Sequence, residues 1–97
     1  MAFDYTICGE YNTEKYHETV ARIAKTFPDF RVKKEVVDPL DGDVIQVFER
    51  GNDEIRVVND YMTGAVYIQS TIEIVAFWTI VNKVDRRREK NQKSSSN

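Results

Sequence analysis

"DVIQVFERGNDEIRVVNDYMTGAVYIQS", residues 43–70, contains three short runs rich in β-branched and aromatic residues, separated by two turn-forming segments. Runs of this kind, bounded by glycine, asparagine and aspartate, are typical of β-strands. The runs are 43–50, 54–60 and 65–70, and Gly64 stands where a tight connection needs a positive φ angle. The stretch therefore predicts three strands of an antiparallel meander.

A fourth strand is predicted just before this stretch. Phe30, Val32 and Val36 fall on one face of an extended segment whose other face is charged. Between it and the meander, "DPLDGD" at 38–43 has the composition of a turn. Its three aspartates lack the spacing of a calcium-binding EF-hand loop, so an acidic turn is the preferred interpretation.

The N-terminal part predicts one strand and one helix. The segment "FDYTIC", residues 3–8, alternates apolar and polar side chains, which is typical of a half-buried strand. Apolar side chains at helical spacing within 16–27 then indicate an amphipathic helix. Asn12 or Thr13 is suited to cap the start of this helix, and Pro28 ends it.

A second helix is predicted in "QSTIEIVAFWTIVNKVDRRREK", residues 69–90. Ser70 and Glu73 form an S-x-x-E capping box before an apolar run, which predicts that the helix begins near Thr71. Its apolar stripe is wider than one sheet face can cover. Either a strongly curved sheet wraps the helix, or the surplus serves association. The residues predicted for self-association as a homodimer are Ile72, Phe77 and Ile80.

The predicted fold is a single α+β domain with one antiparallel sheet, element order β-α-β-β-β-β-α, and both helices packed on one face. The domain is expected to span 1–88, followed by a flexible basic and polar tail at 89–97. The element order is similar to that of helix-grip proteins and TATA-box-binding domains, which implies a curved sheet around a long C-terminal helix. Cystatin-like and ferredoxin-like arrangements remain open, and the similarity implies no activity.

The composition argues against several kinds of chemistry. The lone Cys8 and the lone His17 provide neither an internal disulfide nor a four-ligand zinc site. No nucleophile and base pair stands out, so the chain is predicted to be no enzyme and to need no cofactor or metal. The apolar run at 72–81 is too short to span a bilayer, and no signal-peptide pattern is present at the N-terminus. These features predict a cytoplasmic protein without a membrane partner.

Charge divides the chain into an acidic body and a basic end. Residues 83–93 hold six basic and two acidic residues, whereas the remainder holds eight basic and fourteen acidic ones. The acidic body predicts association with another protein that has a basic surface, in the manner of a small inhibitor, immunity or phage-encoded antagonist protein. The predicted protein-binding residues are Glu49, Arg56, Asp60, Tyr61 and Met62.

Two alternative functions belong to other classes. The first is nucleic-acid binding, in which the basic end contacts phosphates and affinity falls steeply with salt. The residues predicted for this contact are Arg86, Arg87, Arg88 and Lys90.

The second alternative is a small apolar ligand held between the sheet and the C-terminal helix. The residues expected to line such a cavity are Tyr5, Phe48, Tyr67 and Trp78.

Overall fold

The computed structural model describes residues 2–74, which form one antiparallel sheet of six strands and one helix. The predicted α+β class with a single antiparallel sheet is confirmed for these residues, although the sheet has six strands where the sequence predicts five. The elements are β1 (Phe3–Cys8), α1 (Thr13–Thr26), β2 (Arg31–Val32), β3 (Val36–Val37), β4 (Val44–Arg50), β5 (Asp53–Asp60) and β6 (Ala65–Ser70).

The strands are ordered β1-β6-β5-β4-β2 across the sheet, and β3 also pairs with β4. The meander predicted from residues 43–70 is therefore present as β4, β5 and β6, joined by short connections. The first strand completes the sheet by pairing with β6, which is the last strand of the described chain. This arrangement places β5 at the centre and leaves β1 and the β2 and β3 segments at the two edges.

The helix packs on one face of the sheet, as predicted for it. Its N-cap is Asn12, whose side chain accepts a hydrogen bond of 2.9 Å from the amide of Lys15. Tyr16, Thr19 and Ile23 are its buried residues, and they share one side of the helix. The face of the sheet under α1 is called the covered face below, and the opposite one the open face. The core lies between α1 and the covered face, with Phe48, Ile55, Val57, Val66 and Ile68 fully buried.

The prediction that Phe30, Val32 and Val36 share one face of a strand is wrong. Phe30 is buried, but Val32 and Val36 are 55% and 53% exposed. A change of register moves Val36 to the open face, because Val32 pairs with Phe48 of the covered face while Val36 pairs with Ile45 of the open face. Val32 is exposed because it lies at the edge of the sheet. Val36 is four positions after Val32, but their partners Phe48 and Ile45 are only three positions apart on β4. The edge segment therefore contains one extra residue, which forms a β-bulge and splits the strand into β2 and β3.

The prediction that a helix begins near Thr71 is also wrong, because this residue and the three after it are not helical. Ser70 is instead the last residue of β6, and its hydroxyl both accepts from the amide of Ile72 and donates to the carbonyl of Ile72. The side chain is thus used in a local turn and not in a capping box. Ile74 is buried in the core. The rest of the predicted helix, the end of the predicted domain and the predicted tail belong to 75–97, outside the described residues.

Candidate protein-binding site

Three connections meet at one end of the sheet. They are 9–12 between β1 and α1, 38–43 between β3 and β4, and 61–64 between β5 and β6. They converge because, in an antiparallel sheet, one strand ends at the same side of the sheet where its neighbour begins. The helix is attached there by the amide of Asn12, which donates a 3.0 Å hydrogen bond to Oδ1 of the buried Asn59. This group of three connections, together with Asp60, is called the tip.

Two segments of the tip share a sequence pattern and a backbone shape. "DPLDG" at 38–42 and "DYMTG" at 60–64 both read D-x-x-x-G. In each, the glycine amide donates back to the carbonyl of the aspartate, at 2.9 Å for Gly42 and 3.1 Å for Gly64. Both glycines have a positive φ, 76° and 66°, which side chains disfavour. These two segments are called the twin loops.

The leading aspartate of each twin loop also fixes the loop with its side chain. Oδ1 of Asp38 accepts hydrogen bonds from the amides of Leu40 and Asp41, at 2.9 and 3.2 Å. Oδ1 of Asp60 accepts one from the amide of Thr63, at 3.1 Å. Aspartate is favoured at this turn position because its short side chain reaches the backbone two or three residues on. Both loops are therefore held in a defined conformation by their own residues.

The twin loops are in direct contact. The amide of Tyr61 donates a 2.9 Å hydrogen bond to Oδ1 of Asp43, the residue that follows the other loop. The two backbones approach so closely that a Cβ atom added at Gly42 would lie 3.7 Å from Cβ of Tyr61. The ring of Tyr11, in the β1–α1 connection, meets the ring of Tyr61 edge-on at a centroid distance of 5.3 Å. All three connections of the tip are thus joined through Tyr61.

Large apolar side chains are exposed on this fixed backbone. Leu40 and Met62 occupy the same third position of their loops and are 92% and 72% exposed. Tyr61 and Tyr11 are 62% and 38% exposed. A cluster of exposed apolar and aromatic side chains on one surface is typical of interaction sites, because such side chains contribute most when a partner covers them.

The tip is also acidic. Neither the three connections nor Asp60 includes a lysine or an arginine. Within residues 2–74, no carboxylate of the tip forms an ion pair. The tip therefore presents uncompensated negative charge around its apolar side chains. The acidic residues are Glu10, Asp38, Asp41, Asp43 and Asp60.

Asp60 keeps its charge for structural reasons. The hydrogen bond from the Thr63 amide, together with weaker ones, holds the pKa of Asp60 below its usual range. The Tyr67 hydroxyl donates to Oδ2 of Asp60 at 3.4 Å. Burial, and then the Asp60 charge, raise the pKa of Tyr67. Asp60 is 9% exposed, so it organises the tip while its neighbours face solvent.

The structure brings together three of the five predicted protein-binding residues. Asp60, Tyr61 and Met62 belong to one twin loop. Arg56 lies on the open face of β5, four residues before Asp60, which is about 13 Å along a strand. Its guanidinium contacts Oε2 of Glu54 at 3.4 Å. Arg56 is therefore separate from the tip.

Glu49 also lies away from the tip, on the open face of β4. Its carboxylate accepts hydrogen bonds from Arg31 at 3.1 Å and from Lys33 at 3.2 Å. The bond from Lys33, followed by the charges of both cations, lowers the pKa of Glu49. The basic side chains at this edge are thus partly neutralised, which reduces their value as a phosphate-binding patch.

The remaining predicted residues have different outcomes. Ile72 is half-buried and packs against the core, so its side chain contributes to the fold. The prediction that one cavity is lined by both Phe48 and Tyr67 is wrong, because Phe48 belongs to the covered face and Tyr67 to the open face. The other residues predicted for self-association, nucleic-acid binding and the cavity lie outside the described residues: Phe77, Trp78, Ile80, Arg86, Arg87, Arg88 and Lys90.

Other reactive groups in the described part of the chain are dispersed. Cys8 is half-buried against the core, and His17 is exposed on α1. Residues 2–74 contain no group of three histidine, cysteine, aspartate or glutamate side chains placed to hold a metal ion. Within the same range, no helix is long and apolar enough to cross a membrane.

Sequence reasoning missed two residues of the tip, Tyr11 and Leu40. The signal that identifies Leu40 is the repeated D-x-x-x-G pattern, which relates Leu40 to Met62 by position. Nothing in the local sequence indicates Tyr11, because its contact with Tyr61 joins residues fifty positions apart and depends on the strand order.

Comparison of the chain with protein-family models, with curated proteins and with solved structures finds no match.

Proposed function

We propose that this protein is a non-enzymatic binding module whose tip docks on another protein that has a basic surface. One observation carries the proposal: Leu40, Tyr61 and Met62 are strongly exposed on loops that are fixed by their own hydrogen bonds. Apolar side chains on an ordered backbone lose little conformational freedom when they bind, so more of their burial appears as affinity.

The composition of the tip matches that of interface centres. Tyrosine and methionine are enriched there, and a few such anchors supply most of the binding free energy. Tyr61 is braced from the side by the ring of Tyr11, and its backbone is fixed by Asp43. Tyr61 is therefore the proposed central anchor, with Leu40 and Met62 on the twin loops beside it.

The charge of the tip supports a basic partner. Uncompensated carboxylates accelerate encounter with a positive surface and disfavour acidic competitors. Because they surround the apolar side chains, they suit the polar rim of an interface. An inhibitor, immunity or antagonist protein acts by covering a surface of its target, which requires these properties and no chemical step.

The proposal is tested by affinity capture from cells with the intact chain and with the double variant Tyr61→Ser/Met62→Ser. We expect a partner that the intact chain retains and the double variant loses, with a dissociation constant at least tenfold weaker, since two anchors are removed. Ala21→Ser is the control, because it changes an exposed apolar side chain of α1 that belongs neither to the tip nor to the sheet edge at 31–38.

Arg56→Gln tests whether the open face takes part in the same interface. We expect this variant to bind as the intact chain does. Capture of the same partner by the double variant with unchanged affinity would overturn the proposal, and selective loss with Arg56→Gln would move the site to the open face.

A further inference from the structure

Residues 31–38, "RVKKEVVD", form one edge of the sheet in the described part of the chain. The two short strands in this segment, β2 and β3, pair with β4 and with no other described strand. Val32, Val36 and Val37 are 55%, 53% and 58% exposed there. An edge with exposed valines is a template for pairing with another strand, and proteins commonly protect such edges.

At two positions of this edge, Val32 and Val37, the backbone directs its hydrogen-bonding groups away from β4. The amide of Lys33 donates inward to the carbonyl of Val47 at 2.9 Å, and the amide of Asp38 donates inward to the carbonyl of Asp43 at 2.8 Å. Because backbone groups alternate in direction along a strand, the neighbouring residues Val32 and Val37 direct their N–H and C=O groups out of the sheet.

The side chains of these two valines also share one face. Val32 pairs with Phe48, and Val37 pairs with Val44. Paired residues point to the same side of a sheet, so both valines lie at the rim of the covered face. The bulge between β2 and β3 produces this result, because without it residues five positions apart would point to opposite faces.

The charges of the segment are self-complementary when it is paired with itself in the antiparallel direction. With the centre between Lys34 and Glu35, those two residues oppose each other, and the outer pair is Arg31 with Asp38. Between them, Val32 opposes Val37. Three of the four kinds of pair therefore join opposite charges or apolar side chains. The exception is Lys33, which opposes Val36.

We propose that this edge pairs with the same edge of a second copy of the chain, about a two-fold axis between Lys34 and Glu35. Val32 of one copy and Val37 of the other then form a hydrogen-bonded pair, since both direct their backbone groups outward, and the symmetry repeats it. Faces match as well, because both valines belong to the covered face.

The outer charged pair is available for this contact. The Arg31 side chain is 75% exposed although it touches Glu49. Asp38 uses Oδ1 for its own turn, and its Oδ2 makes no hydrogen bond to a described residue. In the pair of copies, each Arg31 lies opposite Asp38 of the other. Opposite charges placed across neighbouring strands stabilise pairing, whereas like charges oppose it.

This interface differs from the one predicted at Ile72, Phe77 and Ile80, and it does not depend on the proposed function. Antiparallel pairing of the two edges directs the two tips toward opposite ends of one continuous sheet. The pairing uses Asp38 of the tip, but Leu40, Tyr61 and Met62 lie outside the paired segment, so two partner molecules can bind at once.

Disulfide trapping tests the pairing and its register. In a Cys8→Ala background, chains with Val32→Cys are mixed with chains with Val37→Cys and oxidised mildly. Directly opposed residues have Cβ atoms about 5 Å apart, close enough for a disulfide after a small adjustment. The same residue in the two copies is separated by about 13 Å, because Val32 and Val37 pair with Phe48 and Val44, which lie four positions apart along β4. We expect the mixture to give at least about tenfold more covalent dimer than either chain alone.

Leu40→Cys replaces Val37→Cys in the control mixture, because Leu40 is exposed but lies outside the segment. A yield from the valine mixture no higher than from this control overturns the proposal. Both valines are more than half exposed, so the substitutions are compatible with folding, and circular dichroism verifies it.

A second measurement needs no cysteine. The average mass of the intact chain is measured by light scattering as concentration rises, beside Val37→Lys and Leu40→Lys. We expect the mass to rise toward that of a dimer for the intact chain and for Leu40→Lys. It is expected to stay monomeric for Val37→Lys, because this substitution replaces the apolar contact between Val37 and Val32 of the other copy with an unpaired charge. Equal masses for all three chains overturn the proposal.

Discussion

The backbone N–H of Tyr61 donates a 2.9 Å hydrogen bond to Oδ1 of Asp43, and this bond joins the two twin loops of the tip. Each loop is closed by its own aspartate and glycine, but neither closure fixes one loop relative to the other. The bond between Tyr61 and Asp43 does so, and it determines where the exposed tyrosine ring lies.

Asp43→Ala is expected to loosen Tyr61 without unfolding the sheet. The variant loses one hydrogen bond, which contributes about 1 kcal/mol, so exchange of the Tyr61 amide with solvent deuterium accelerates about fivefold. Amide exchange measured by NMR checks this. Asp41→Ala is the matched control, because the Asp41 side chain accepts no hydrogen bond from a described residue. Equal acceleration in both variants would contradict the assignment.

Gly64→Ala is expected to destabilise the protein by about 1 kcal/mol, since alanine must adopt a positive φ. The φ of Gly64 is 66°, and no atom lies within 4 Å of the Cβ position, so the cost is conformational and not steric. Urea unfolding of the purified chain measures it. Gly9→Ala is the control, because Gly9 has the same open surroundings but no positive φ. A loss of stability that is larger at Gly9 would refute the argument.

The meander and the first helix could be predicted because their signals are local. Each strand of 43–70 carries its own apolar residues, and its turns have suitable glycines. The N-cap at Asn12 is likewise set by residues within one turn of it. In both cases the local sequence and the final packing favour the same structure.

The two wrong predictions of secondary structure arise where tertiary contacts override the local sequence pattern. The edge segment reads as one strand, but Val32 and Val36 pair with β4 in different registers. Ser70 reads as a helix cap, but it pairs with Phe3 and Ile55 inside the sheet, which keeps its backbone extended. The spacing of residues in the sequence does not show which strand residue each of them pairs with.

The tip was partly predictable for the same reason. Tyr61 and Met62 stand out because a turn does not need them for packing. Leu40 gains its meaning only when 38–42 is recognised as a second copy of the loop at 60–64. The contact between the loops follows from strand order, which local sequence does not specify.

Asp60→Asn is expected to reduce the loss of stability in acid. The pKa of Asp60 is lower in the folded chain than its usual value, so the folded state binds fewer protons and stability rises with pH between the two values. The contribution is present above the unfolded pKa, about 3.9, and is lost as pH falls through the folded pKa. Urea unfolding between about pH 2 and pH 6 measures it.

The asparagine variant keeps an oxygen that can accept from the Thr63 amide, so it preserves the loop while removing the titration. Asp41→Asn serves as the control in the other twin loop, because no described residue donates to its carboxylate. If Asp60→Asn loses as much stability in acid as the intact chain does, Asp60 is not a source of the pH dependence.

Tyr16→Phe tests the buried hydroxyl that connects α1 to the sheet edge. Tyr16 is 1% exposed, and its hydroxyl donates a 2.7 Å hydrogen bond to Oε2 of Glu35. Burial first, and then Glu35, raise the pKa of Tyr16 far above its usual value. The folded chain therefore keeps this proton after an unfolded tyrosine, with a pKa of about 10, has lost it.

A raised pKa stabilises the folded state below the unfolded value, and the contribution is lost as pH rises toward the folded one. We expect the intact chain to lose stability above about pH 10 and Tyr16→Phe to lose less. At neutral pH, the free energy of unfolding of Tyr16→Phe is expected to be lower by about 1 kcal/mol, because the variant lacks the hydrogen bond to Glu35. Urea unfolding from neutral to alkaline pH measures both effects. Tyr11→Phe is the control at neutral pH, because the Tyr11 hydroxyl bonds to no described residue. An alkaline loss of stability of the same size in the intact chain and in Tyr16→Phe would show that the Tyr16 proton is not responsible. The loss would then come from another hydroxyl, such as that of Tyr67, whose pKa is also raised by burial.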